Sequence, residues 1–254
     1  YVVRLLKKDQ PEDLKDLFIT GVQLNAIFDH PNILQVKEVG QIGDRPYFIS
    51  RYADNGTLYW LLKTYGSTGM PIEEAIELTI KVLKGLHEIH EKNVIHRNIK
   101  PDAVFTQKNG EPVIGEFGLA KQIEDGKKIK SESLVGTLEY MSPERCKLAR
   151  SVDRRSDIYS VGIMLYQLLT GELPFTGDTQ TLIYKQTNEK LPIITYKLLA
   201  KGLNSIISGK EKLYLAAGEI QNILEKACAK GKSSRYSNAL EFASVLQKFL
   251  EFVS

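Results

Sequence analysis

Apolar and polar residues change rhythm once along this chain, and that change divides it. The first third alternates like strands around a single helix. "YVVRLL" is a β-branched apolar run, and "ILQVKEVGQI" and "PYFISRY" flank Gly43-Asp44, a turn pair suited to a hairpin. Between them, "QPEDLKDLFITGVQLNAIF" opens with Pro11 and acidic residues, as helix N-termini do, and carries a Leu17, Gly21, Leu24, Phe28 stripe. From Thr57 onward the period is mostly helical. Ile72, Ile76, Ile80, Leu83 and Leu86 recur at helical spacing, and "DIYSVGIMLYQLLTG" is apolar on nearly every face, which predicts a buried central helix. A second hairpin, "AVFTQKNGEPVI", pivots on Asn109-Gly110. The break at residues 52–57 predicts an α+β architecture of two lobes: a small strand-rich lobe over 1–52, joined by a hinge to a helical lobe over 53–254.

Composition narrows the function classes. The 254 residues are 43% apolar and 26% charged, enough to bury a core in one or two domains. A net charge of +3, scattered along the chain, gives no basic patch for nucleic acid and no membrane-surface signature. No apolar run reaches the roughly 18–20 residues that a spanning helix needs, and no signal peptide is present. Cys146 and Cys228 lie far apart with no paired spacing, which reads as two buried or free thiols and makes the cytoplasm the default compartment.

Five short segments then fall in a meaningful order. "HRNIKPDAV" follows a long helix; "GEFGLAK" and "GTLEYMSPE" come next; "SDIYSVGIMLYQLLTGELPF" and "SSRY" close the series. Together they resemble the catalytic loop, the D-F-G segment, the end of the activation segment, the central helix and a late arginine of the Ser/Thr-type protein kinase domain. The resemblance covers essentially the whole chain. It implies the bilobal kinase fold, with Asp157 at the head of the central helix and Glu144 paired to Arg235. It also implies that the hairpin carrying a Gly-rich loop would precede Tyr1, and that this chain starts after it.

Carried over position by position, the resemblance exposes departures. The strand lysine that holds nucleotide phosphates falls on Arg4, with Lys7 or Lys8 as alternatives that would shift the strand register. Its helix glutamate, nine residues before "HPNI", falls on Gly21, and no Glu lies between Ile19 and Asp29. Four residues on, an apolar spine position holds Asn25. The catalytic base position is Asn98, a carboxamide that cannot accept a proton. The two metal-holding positions are Glu116, one methylene longer than the usual Asp, and Ala103, which has no oxygen. Lys100 alone survives of the phosphate-handling set, and Thr137 remains in the substrate-facing segment. Ser50 falls at the gatekeeper position, with Arg51, Tyr52 and Ala53 forming the hinge.

These losses lead to the expectation of a catalytically inactive kinase-like domain, a pseudokinase serving as a binding or allosteric module for unidentified protein partners. The alternative is an atypical but active ATP-dependent Ser/Thr protein kinase. No metal site is expected, and ATP, if taken up, is expected to bind weakly and without Mg²⁺. One geometric expectation is specific: Arg4, deprived of its helix glutamate, should pair with Glu116 across the phosphate site.

Overall fold

The computed structural model describes residues 1–123, 134–148, 152–195, 199 and 210–253. Strands β1 (Val2–Leu5), β2 (Val36–Ile42) and β3 (Arg45–Ser50) form an antiparallel sheet in the order β1-β3-β2. The register sets Val2 opposite Ser50 and Arg4 opposite Phe48. Gly43, at a positive φ of 62°, turns β2 into β3 where the sequence placed a hairpin. Helix α1 (Glu12–Ala26) lies against this sheet, with two acidic residues in its first turn facing the positive end of the helix dipole.

The contact face of α1 keeps three positions of the expected stripe, with Gly21 and Phe28 buried and Leu24 packed against the core. Leu17 is 40% exposed, and the positions turned inward are Gly21, Val22 and Asn25, with Phe18 against the ring of Phe48. The helix is wedged between the sheet and the turn Phe117–Leu119, so two neighbours rather than one decide which residues are covered. A single stripe left out Val22 and Asn25, which the second contact surface covers.

Past the hinge the chain is helical. Helices α2 (Leu58–Tyr65), α3 (Ile72–Glu91), α4 (Pro143–Cys146), α5 (Arg155–Thr170), α6 (Thr179–Asn188), α7 (Lys210–Ala227) and α8 (Ala239–Val253) build the larger lobe. Two short hairpin-like pairings, β4 (Val94–Ile95) with β7 (Lys121–Gln122) and β5 (Val104–Thr106) with β6 (Pro112–Ile114), sit on its face toward the small lobe. From Ser156 to Thr170 every residue of α5 is buried, as its uninterrupted apolar texture requires. Helix α3 packs against both α5 and α8, and the five isoleucines and leucines of its predicted stripe are all buried.

The small lobe is tied to the large one at the back. Leu34 N–H donates to Ile114 O (2.8 Å), Ile114 N–H donates to Asn32 O (2.8 Å), and the buried Asn32 amide donates to Pro112 O (2.9 Å). Gly85 on α3 makes this possible. A Cβ there would stand 2.7 Å from Asn32 O, so only glycine lets the helix come this near. The C-terminal end of α1 is therefore moored to the large lobe, which fixes where its inner face meets the catalytic segments.

Candidate active site

Asp157, the third residue of α5, is fully buried and organises the loop beside it. Its carboxylate accepts the backbone N–H groups of His96 (2.9 Å) and Arg97 (2.8 Å), and a ring N–H from His90 Nε2 (2.9 Å). Burial works against its charge. The donated hydrogen bonds and the nearby imidazoles outweigh that effect and hold the carboxyl below the usual aspartate range. These bonds also hold Arg97 at φ 66°, a left-handed conformation that costs a non-glycine residue roughly 1–3 kcal/mol.

His96 completes the loop from within. Its Nε2 lies 2.8 Å from Gly115 O, so it must donate, and Nδ1 accepts the Asn98 N–H at 3.3 Å. The imidazole is thus the neutral Nε2–H tautomer, and full burial pushes its pKa down. Through His96, the loop bearing Asn98 is stitched to the strand end that presents Glu116.

Asn98 and Thr137 line one small cleft together with Arg97, Tyr140 and Arg145, as expected for the loop and the substrate-facing segment. Arg145 was not foreseen. Its guanidinium donates to the carbonyls of Arg97 and Val135, which fastens the 134–148 segment to the catalytic loop. Burial, with Arg97 nearby, pulls its pKa down to about 10. No motif marks an arginine after S-P-E; only the buried carbonyls it reaches reveal its task.

Glu144 and Arg235 pair as expected. Two parallel bonds of 2.8 Å join the guanidinium fork to the carboxylate, Ser156 adds a third donor, and the side chains are 10% and 0% exposed. The remaining Arg235 donors reach the carbonyls of Arg155, Ala229 and Lys230. Burial opposes ionisation of Glu144, yet the arginine holds its pKa below the usual value.

The phosphate end of the cleft carries the predicted cross-lobe pair. Arg4 Nη1 donates to Glu116 Oε1 at 2.7 Å, joining β1 to the E-F-G segment. The contact is single rather than forked, and both groups are partly solvated, with side-chain exposures of 32% and 45%. The guanidinium lies 4.8 Å from the Phe105 ring centroid and 5.8 Å from that of Phe48, so aromatic faces help hold its plane. Glu116 itself is left-handed at φ 60° and ψ 50°.

Behind the pair is a cavity of about 130 Å³, reached by Arg4, Gly21, Asn25, Phe48, Glu116 and Phe117. Asn25 is 5% exposed and its amide nitrogen has no hydrogen-bond partner. Gly21 presses α1 onto the E-F-G backbone. A Cβ at this position would lie 2.8 Å from both Gly118 Cα and Phe117 O, and 2.9 Å from Gly118 N. The missing glutamate is therefore more than a lost ion-pair partner: its absence lets the helix sit where no side chain fits. The hinge residues Arg51, Tyr52 and Ala53 line a different hollow of about 290 Å³, and Ser50 is buried with its hydroxyl donating to Arg51 O (3.3 Å). Lys100 is half-buried, and Asp102 is the middle residue of the 3-10 turn Pro101–Ala103.

Divalent metal fits poorly here. Ala103 is buried and offers a methyl, and the Glu116 carboxylate is engaged by a guanidinium. Among the described residues no cluster of three or more His, Cys, Asp or Glu side chains is arranged to hold a metal ion, and no helix is long and apolar enough to cross a membrane.

The protein kinase domain model matches residues 1–249, and the chain belongs to that family. A serine/threonine-protein kinase PknB of Mycobacterium leprae is 32% identical over 234 residues, covering 86% of this chain and 37% of the relative. A probable serine/threonine-protein kinase of Clostridium perfringens is 30% identical over 249 residues, covering 97% of this chain and 34% of the relative. A probable PknB of Lactococcus lactis is 29% identical over 246 residues, 94% of this chain and 36% of its own length. The chain spans about a third of the length of the curated relatives it matches.

These relatives overturn the expectation of an inactive binding module. Across most of the chain its likeness is to proteins named as Ser/Thr kinases, which favours the alternative of an active enzyme. The physical flaw lay in counting missing groups as independent losses. Residues that act as a unit do not contribute additively, so five departures do not multiply into silence.

Proposed function

We propose that this chain is an atypical ATP-dependent Ser/Thr protein kinase that works without a carboxylate base. The observation that carries this reading is the likeness, over 86–97% of the chain, to relatives named as Ser/Thr protein kinases. The pinned loop geometry around Asp157 supports it.

Phosphoryl transfer passes through a loose transition state in which positioning and charge matter more than covalent help. In this reading the substrate Ser or Thr hydroxyl enters the cleft of Asn98 and Thr137. The Asn98 carbonyl oxygen accepts the hydroxyl hydrogen bond and aims the oxygen at the γ-phosphorus. The oxygen–phosphorus bond forms as the bond to the β-phosphate oxygen breaks, ADP leaves, and the proton passes to water. Lys100 and Arg4 supply positive charge to the phosphate oxygens. Ser50, Tyr52 and Ala53 frame the adenine, and two free buried thiols suit a cytoplasmic domain.

Without a carboxylate base, the rate should fall about a hundredfold to ten-thousandfold below the usual 1–100 per second, to roughly 10⁻⁴ to 1 per second. Radiolabelled ATP with a basic Ser/Thr substrate tests this. Slow transfer that disappears in Lys100→Ala is the expected result. Incorporation no higher in the wild type than in Lys100→Ala would overturn the proposal.

A further inference from the structure

We infer that this chain takes ATP as the metal-free anion, with the Arg4 guanidinium in the charge-neutralising place. The inference rests on the kinase reading for its choice of nucleotide, and on four features of the cleft for its chemistry. Glu116 is already engaged by Arg4 at 2.7 Å. A carboxylate that shares its charge with a guanidinium is a weak ligand for a second cation, and a divalent ion placed beside Arg4 meets like-charge repulsion as well. Ala103 adds nothing, since a buried methyl cannot coordinate. Asp102, in the Pro101–Ala103 turn, does not line the cavity behind Arg4 and Glu116.

What remains is cationic. Arg4 spends one of its five N–H groups on Glu116, and the faces of Phe105 and Phe48 hold its plane. The rest of the fork is available to phosphate oxygens, for which its planar geometry is suited. Lys100 has no ion-pair partner among the described residues. In the kinase reading Lys100 joins Arg4 against Glu116, which leaves one net positive charge for the nucleotide. Metal-free ATP is the more highly charged ligand and gains from both cations. A Mg²⁺ ion carried in with the phosphates finds Glu116 engaged and no oxygen at Ala103. Glu116 still repels the phosphates, so binding is weak.

Calorimetric titration of the full-length protein with ATP, once in EDTA and once in excess MgCl₂, tests the inference. The two dissociation constants should agree within about threefold. Glu116→Gln, which keeps the shape and removes the repelling charge, should tighten binding in EDTA. Arg4→Met should weaken it tenfold or more, with Arg4→Lys intermediate. Tightening by Mg²⁺ of tenfold or more, equivalent to about 1.4 kcal/mol, would overturn the inference, because it would mean that ATP frees Glu116 to take the metal. Weaker binding in MgCl₂ for Glu116→Gln would do the same, and so would ATP failing to bind in either buffer. Equal binding in both buffers without phosphotransfer would leave this inference standing and sink the kinase reading alone.

Discussion

Gly21 offers the sharpest test of how this cleft is built, because two physical effects of known size oppose each other there. A glycine inside a helix is worth about 1 kcal/mol less than alanine, so Gly21→Ala gains that much from propensity. Against it stands geometry. The new Cβ would lie 2.8–2.9 Å from three backbone atoms of Phe117 and Gly118, whereas carbon atoms rest at roughly 3.5–4.0 Å. Backbone of the E-F-G turn cannot swing aside as a side-chain end would, so α1 has to withdraw. Overpacking of this kind costs about 1–3 kcal/mol. The balance runs from about zero to 2 kcal/mol of destabilisation. In a domain of this size, 1 kcal/mol moves the melting temperature by about 2–4 °C, so Gly21→Ala should leave it unchanged or lower it by up to about 8 °C.

The chain contains its own control. Gly218 lies within α7, and a Cβ added there meets nothing within 4 Å. Gly218→Ala keeps the propensity gain without the collision and should raise the melting temperature by about 2–4 °C. Thermal melts of the two variants beside the wild type therefore should move in different directions. If Gly21→Ala stabilises as much as Gly218→Ala, the close approach of α1 to the E-F-G backbone is wrong. Gly21→Glu, which the family pattern presents as a repair, should be worse than Gly21→Ala, because a longer side chain must pass the same backbone.

Two further predictions concern buried charge. Arg235→Ala leaves Glu144 buried without its fork and should cost about 3–5 kcal/mol, a drop of roughly 6–20 °C in melting temperature; an unchanged melt would refute the pair. The Glu144 pKa is depressed in the fold, so the wild type keeps this contribution above the unfolded value of 4.5 and loses it as pH falls further, and the gap to the variant should close in acid. His96 and His30 both have pKa values lowered chiefly by burial. The unfolded chain then binds more protons below about 6.5, so stability should decline as pH drops from 7 to 5; a flat profile would refute the neutral His96 tautomer.

Much of this fold was legible because its long elements follow one period each. The α3 stripe and the all-apolar α5 were buried as read, and Gly43-Asp44 and Asn109-Gly110 turned where turn chemistry placed them. The Arg4–Glu116 contact was legible across 112 positions because two motif positions of opposite charge each lacked a partner. Its single bond and half-exposed setting were not, since exposure depends on neighbours far apart in sequence. Val22 and Asn25 on the inner face of α1 were missed for the same reason. Gly21 was read as a loss because sequence displays the side chain that is missing and not the backbone that takes its place. Arg145 gave no signal at all, because carbonyl groups carry no residue identity.

The backbone of the cleft bears on the kinase reading independently of any single side chain. Arg97 and Glu116 both hold left-handed conformations, at φ 66° and φ 60°, and neither is glycine. Each such residue costs roughly 1–3 kcal/mol, which is a large share of a typical folding free energy of 5–15 kcal/mol. Glycine at either place would relieve the strain, yet the chain sustains it with the buried carboxylate of Asp157, which accepts the Arg97 N–H, and the neutral His96, which bridges to Gly115. A domain kept only as a surface for other proteins gains nothing from strain inside its cleft. In the proposed kinase the strained turns set where Asn98, Lys100 and Glu116 stand relative to one another.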